Sequence, residues 1–203
     1  MTGRCGPIAP RLIDAVNTWR PAIRIDAQEG WSLQLDGALS DGGLDLVVSH
    51  TLPDRVEYGR QPLRQEAFTA LVGAGHAFAG RQGVSLRDFA GQTFRFYKSQ
   101  LVPPHHATLM AALRRAGEKF TYQEDPIPGL KHLDLHDGKS FTLVPDSMAQ
   151  HLVTTDVAAV PLTDSDLPTF NLELVWRKEG LAPATALVVS AADALSRGQR
   201  WIS

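Results

Sequence analysis

The stretch from residue 29 to residue 48 constrains the fold more than any other part of the chain. It begins with the end of an extended segment and continues as a helix that starts near Ser32. The helix ends at Gly42-Gly43, and an apolar run follows. A continuous apolar run between turn residues is typical of a strand buried on both faces of a parallel sheet. The stretch therefore predicts a strand–helix–strand unit, and the first turn of its helix offers free backbone N–H groups to a small anion.

Strands and helices alternate along the rest of the chain. Ile8, Leu12, Val16 and Trp19 recur at helical spacing, and this helix ends before Pro21 because proline disfavours helical backbone in the residue before it. Further strands are predicted at 23–27, 44–49, 63–72, 93–97, 120–123, 141–144 and 172–177, and further helices at 103–116, 147–149 and 183–195. Such alternation is typical of an α/β fold with mainly parallel sheets.

The elements fall into two similar halves, and the glycine-rich segment 73–80 has the character of a crossover between them. We expect two Rossmann-like lobes joined by a hinge. Residues 1–73 and 178–203 would form lobe one, and residues 74–177 would form lobe two. Ligands of open α/β sheets bind beyond the carboxyl ends of the strands. The loops that follow the strands of both lobes are therefore expected to line one cleft.

Composition and charge argue against several classes of protein. The chain has 203 residues, a formal net charge of −2 and one cysteine. Such a charge gives no basic surface for nucleic acid, and one cysteine allows neither an intrachain disulfide nor a multi-cysteine zinc site. The chain shows no signal peptide and no apolar run of the roughly 20 residues that a membrane span needs. We expect a cytoplasmic protein without a membrane partner.

Several segments, taken in order, resemble the effector-binding domain of LysR-type transcriptional regulators. No single segment is specific, and the likeness rests on their order and spacing. Residues 97–117 also keep the family's spacing between its Y-P-R and A-G-F motifs. The matching segments are 7–15 (the family's L-P-R-L-I-x-A-F), 29–48 (E-G-x-S-x-x-L and L-D-L-x-V), 75–80 (G-H-P-L-A), 85–91 (S-L-x-D-L-x-G), 142–148 (A-L-V-P-x-S-M) and 174–177 (L-x-W-R).

The resemblance implies a fold of the type 2 periplasmic-binding-protein kind and a function in sensing. A small, anionic metabolite would bind between the lobes and control transcription through a DNA-binding domain. The resemblance further implies a homodimer or tetramer, in which the helix 8–19 of one copy pairs with the helix 107–116 of another. No cofactor is implied. Since no winged helix precedes Met1 and the first strand is cut short there, we interpret the chain as a fragment that would reach DNA only through the missing domain.

The same resemblance and the strand-end rule select the candidate effector-binding residues. Two departures from the family pattern bear on the ligand: Y-P-R becomes Tyr97-Lys98-Ser99, which moves the cation by one position, and the apolar L-V-A-A-G-L-G becomes the polar segment 134–140. The effector is therefore expected to differ from the aromatic acids of well-known members. The candidates are Arg4, Cys5, Trp31 and Ser32 in lobe one and Lys98, Ser99, Gln100, Ile127 and Pro128 in lobe two.

Each candidate also has a simpler structural interpretation. The Ser32 hydroxyl can cap its helix, and Lys98 can be an ordinary solvated lysine. Trp31 can pack in the core or in a dimer interface. A redox role for Cys5 would need a second thiol or a lowered pKa, and the sequence indicates neither.

Two other functions remain open beside the regulator. A solute-binding protein of a transport system would share the two-lobed architecture, and an enzyme such as a small-acid dehydratase or lyase would need an acid/base pair facing the cleft. No nucleophile, dinucleotide or phosphate-loop motif is present. A metal site is weakly indicated by histidines alone, because two of them at helical spacing lack a third placed ligand. The histidines concerned are His105, His106, His132 and His136.

Overall fold

The computed structural model describes residues 8–127, 129–130 and 133–198. These residues form a mixed α/β fold in two compact units, divided at residues 65/66 and 170/171. The helices are α1 (Ile8–Trp19), α2 (Ser32–Ser40), α3 (Pro103–Ala116), α4 (Asp146–Leu152) and α5 (Pro183–Gly198). The strands are β1 (Leu46–Ser49), β2 (Tyr58–Glu66), β3 (Phe68–Gly73), β4 (Thr93–Tyr97), β5 (Thr121–Asp125), β6 (Ser140–Pro145), β7 (Val157–Pro161) and β8 (Phe170–Arg177).

Unit 1, up to residue 65 and from residue 171 onward, is built on a three-stranded sheet in the order β1-β8-β2. Helix α1 turns Ile8, Leu12 and Val16 toward this sheet, because residues four apart lie on one face of a helix. They join a core with residues of β2, β8 and α5: Leu63, Leu172, Leu174, Val188, Ala192 and Leu195.

The apolar stripe of α1 bears on the expected dimer. Ile8 and Val16 are each 1% exposed, and Leu12 is 5% exposed. The stripe therefore packs inside unit 1, and its apolarity does not itself indicate self-association. Trp19, at the end of the same helix, stays 47% exposed.

Two predictions for unit 1 are wrong. Residues 23–27 form no strand, and β1 runs antiparallel to β8, with Leu46 opposite Trp176, rather than lying in a parallel sheet. Both results depend on pairing, because the backbone that pairs with an extended segment decides whether it becomes a strand and in which direction it runs. Residues 23–29 and 43–48 instead line a cavity of about 520 Å³.

Unit 2, residues 66–170, is built on a five-stranded sheet in the order β5-β4-β6-β3-β7. Strand β4 pairs in parallel with β5 and β6, as the sequence predicts, whereas β3 pairs antiparallel with β6 and β7. The sheet is therefore mixed. Helix α3 follows β4 and matches its predicted bounds: proline occupies its first turn, and Gly117 ends it in the left-handed conformation at φ 73°.

The predicted strand 63–72 is two strands. Strand β2 belongs to the sheet of unit 1 and β3 to the sheet of unit 2, with one residue, Ala67, between them. Apolar residues continue through this junction, so periodicity alone gives no sign of the change of sheet. The structural units divide at 65/66 and 170/171, and the sequence places the lobe boundaries at 73/74 and 177/178.

Within the described residues, no helix has the combination of length and apolar character that a membrane crossing requires.

Candidate functional site

Three of the candidate residues lie together where β4 ends in unit 2. Lys98 precedes a 3-10 turn formed by Ser99–Leu101, and α3 begins at Pro103, one residue beyond this turn. Lys98 and Gln100 are exposed, and Ser99 is half-buried. Parallel pairing places the end of β5 beside this turn, with Phe96 opposite Glu124. The first turns after β4 are thus held against a neighbouring strand whose last residues carry acidic side chains.

Glu124 occupies the hydrogen-bond donors of this turn. Its Oε1 accepts the Ser99 backbone N–H at 3.0 Å and the Tyr122 hydroxyl at 2.9 Å. Hydrogen bonds from the Ser99 hydroxyl and backbone hold the pKa of the Glu124 carboxyl below its usual range, and the Tyr122 hydroxyl adds to them. The carboxylate is therefore ionised at neutral pH and fixed at the mouth of the turn.

The Tyr122 side chain, whose hydroxyl donates to Glu124, packs against other rings of unit 2. The ring of Tyr122 packs edge-on against His106, with 5.5 Å between centroids, and His106 tilts over Phe96 at 5.7 Å. Burial lowers the pKa of His106, so its ring is neutral at pH 7. The Nε2 atom of His106 is buried and has no hydrogen-bond partner in the described part of the chain. Tyr122 keeps 41% of its surface exposed.

The two described candidates of unit 1 begin α2. Trp31 is half-buried and precedes the helix, and its backbone N–H donates to Oε1 of Gln34 at 3.2 Å. Ser32 is fully buried, and its hydroxyl bonds to the hydroxyl of Thr51, which lies 3.2 Å from the Ser49 hydroxyl. The Ser32 side chain thus connects α2 to the residues that follow β1. It does not cap its helix, which was the simpler interpretation of the sequence.

Of the four remaining candidates, the structure describes only Ile127. Ile127 is 55% exposed and lies two residues beyond the end of β5. Arg4, Cys5 and Pro128 lie outside the described residues.

A partly buried ionic cluster supports the helix that Ser32 opens. Arg55 donates to both carboxylate oxygens of Asp36, from Nε at 3.0 Å and from Nη2 at 2.5 Å. The Tyr58 hydroxyl donates to Oδ1 of Asp36 at 2.9 Å. The hydrogen bond from Arg55 is the main cause that lowers the pKa of Asp36, while burial and the Asp36 carboxylate raise the pKa of Tyr58 to about 12. The cluster joins α2 to the start of β2.

A second ionic network explains the polar segment 134–140. Arg95 on β4 is buried, and it donates to Asp125 at 2.8 Å and to the Ser140 hydroxyl at 3.0 Å. The Ser140 hydroxyl in turn donates to Asp137 at 2.6 Å. Burial raises the pKa of Asp125 against the opposing effect of Arg95. The polar residues therefore stabilise a buried guanidinium in unit 2.

In the described part of the chain, no three His, Cys, Asp or Glu side chains are grouped so as to hold a metal ion. His105 is buried and stacks on Phe170 with 4.7 Å between ring centroids. His132 lies outside the described residues.

Glu124 and Tyr122 are absent from the sequence-based candidates, and His106 appears there only among the histidines of a weakly indicated metal site. Tyr122 and Glu124 are two residues apart, so a strand there places both side chains on one face. The predicted strand 120–123 stops before Glu124, and no sequence pattern gives the register that sets Glu124 beside Ser99. The missing signal is the strand pairing, which arises only in the folded unit.

The comparisons with known proteins agree with the fold. No curated protein matches the chain significantly by sequence. Among solved structures, the BenM effector binding domain with its effector benzoate has a TM-score of 0.76 and 19% identity, covering 97% of this chain and 89% of that one. CbnR, a LysR family transcriptional regulator, has a TM-score of 0.76 and 18% identity, and the match covers 94% of this chain and 67% of CbnR. HinK, a LysR family transcriptional regulator from Pseudomonas aeruginosa, has a TM-score of 0.74 and 21% identity, and the match covers 93% of this chain and 66% of HinK.

At these identities the structural likeness establishes the fold, which is that of LysR effector-binding domains. The chain spans about two thirds of the length of CbnR and HinK. The LysR substrate binding domain family matches residues 5–195, which is nearly the whole chain. The order and spacing of the sequence motifs, the two mixed α/β units and this match lead to one assignment: the chain belongs to the LysR substrate-binding domain family.

Proposed function

We propose that this chain is the sensing part of a cytoplasmic transcriptional regulator and binds a small metabolite that carries a carboxylate. DNA contact would come from another domain, and binding would change regulation rather than catalyse a reaction. The family match over residues 5–195 carries this proposal. It also favours a regulator over a transport receptor or an enzyme.

The Lys98–Ser99–Gln100 turn supplies the groups that would hold the ligand carboxylate. The exposed Lys98 lies beside Ser99 at the end of a strand, which is the usual ligand position in open α/β sheets, and the N–H and hydroxyl groups of Ser99 already bond to Glu124. Charge-assisted hydrogen bonds of this kind are roughly twice as strong as neutral ones.

A thermal-shift screen of carboxylic acids and amino acids tests this proposal, with Ser99→Ala and Lys98→Ala as the diagnostic variants. Removal of the Lys98 ammonium would leave the ligand carboxylate without its charged partner, at a cost of about 1 to 3 kcal/mol, or roughly 5- to 150-fold in Kd, and Ser99→Ala would release one hydrogen bond that holds Glu124 at the site. The unliganded stability should change little in Lys98→Ala, because Lys98 is exposed. Ser190→Ala on α5 is the matched control.

Hits that respond to neither Ser99→Ala nor Lys98→Ala would show that the ligand binds elsewhere. A screen in which no compound raises the melting temperature would contradict the proposal itself.

A further inference from the structure

The turn after β4 presents two opposite charges that do not neutralise each other. The Glu124 carboxylate is held by Ser99 and Tyr122, and Lys98 is the residue directly before Ser99. Within the described residues, the Lys98 ammonium forms no ion pair, with Glu124 or with any other acid. Both charges remain available to a ligand that carries the complementary pair.

Glu124 also changes what Ser99 can offer to an anion. The Ser99 backbone N–H already donates to Oε1 of Glu124 at 3.0 Å, so a simple anion would have to displace a carboxylate that the chain itself supplies. A tethered group competes at a high effective concentration. A monoanion would in addition approach a fixed negative charge, which repels it.

A cationic group would meet the opposite situation. A carboxylate has about four acceptor positions, and the donors of Ser99 and Tyr122 leave some of them open. The Tyr122 hydroxyl contacts the carboxylate at 2.9 Å, and the ring that carries it is 41% exposed, so an ammonium group on Glu124 would lie near an aromatic ring, which favours cations.

We infer that the ligand of this turn is a small zwitterion of the amino-acid class, with its ammonium group on Glu124 and its carboxylate on Lys98. The inference rests on the proposed function, which it narrows from carboxylates in general to carboxylates that also carry an amine. Glu124 is then the residue that selects ligands with an amine, and Lys98 binds the carboxylate that ligands with and without an amine both carry.

The test compares matched probes by isothermal titration calorimetry. The probes are the proteinogenic amino acids and, for each one that binds, the same acid without its amine, such as L-phenylalanine and 3-phenylpropanoate. We expect the amine to strengthen binding by about tenfold or more, the range of a hydrogen bond to a charged group. Glu124→Gln, which keeps the shape and the acceptor oxygen, should reduce this ratio to about one. Glu118→Gln, an exposed change in the same unit, should leave the ratio unchanged.

Three results would overturn the inference. One is equal binding of an amino acid and its amine-free analogue, and another is a ratio that survives Glu124→Gln. The third is that no amino acid binds. If amine-free acids bind and depend on Ser99 and Lys98, the sensing proposal stands and only the zwitterion assignment fails. If no acid of either class binds, both fail.

Discussion

At the scale of single residues, the carboxylate of Asp36 links the stability of unit 1 to pH. Asp36 is 4% exposed and receives hydrogen bonds from Arg55 and Tyr58. Asp36→Asn removes the buried charge that accepts from Arg55 and Tyr58, so we expect a loss of about 1 to 3 kcal/mol in the free energy of unfolding. Urea denaturation at pH 7 measures it, and Asp14→Asn, an exposed change on α1, should have little effect.

The sign of the pH dependence follows from the lowered pKa of Asp36. A carboxyl that ionises more readily in the folded chain stabilises it above the unfolded pKa, near 3.9, and this contribution is lost as pH falls through the lower folded value. The difference in unfolding free energy between the wild type and Asp36→Asn should therefore be constant near neutrality and shrink below about pH 4. A difference that grew on acidification would contradict the assigned ionisation.

At the scale of elements, two glycines give opposite responses to the same substitution. A Cβ on Gly59 in β2 would overlap the indole ring of Trp176 on the neighbouring β8, whereas a Cβ on Gly37 in α2 would meet no atom within 4 Å. Gly59→Ala should cost about 1 to 3 kcal/mol through overpacking. Gly37→Ala should add about 0.5 to 1 kcal/mol, because alanine loses less backbone freedom in a helix.

Denaturation midpoints of the two glycine variants measure this contrast. Combining Gly59→Ala with Trp176→Ala should cost less than the sum of the two single changes, because the smaller side chain removes the clash. Additive costs would mean that the close approach of β2 to Trp176 is not what constrains Gly59.

The elements also show how far sequence reasoning reaches. Helix α3 could be predicted to the residue, because proline at its start and Gly117 at its end are local signals. The absence of a strand at 23–27 and the antiparallel direction of β1 could not, because both depend on distant pairing partners. The same holds for the candidate site. Lys98 and Ser99 could be predicted from the family motif and from their place after a strand, whereas the position of Glu124 beside them depends on the register between β4 and β5.

At the scale of the whole molecule, we propose that the chain forms a dimer in which α1 of one copy meets α3 of the other. This proposal rests on the family resemblance, since the apolar stripe of α1 packs inside unit 1. Sedimentation velocity should show a species of twice the chain mass at tens of micromolar, because moderately stable homodimers are populated in this concentration range. A strict monomer under these conditions would contradict the proposed pairing.

Hydrogen exchange of the chain with and without its strongest ligand tests the central claim most directly, namely that a small metabolite binds at the turn after β4. The probe is the acid or amino acid that gives the largest thermal shift. We predict that the ligand slows exchange at the amides of Ser99, Gln100 and Leu101 and at the end of β5, and that Lys98→Ala abolishes this protection at the same ligand concentration. Protection confined to other segments, or unchanged by Lys98→Ala, would contradict the account.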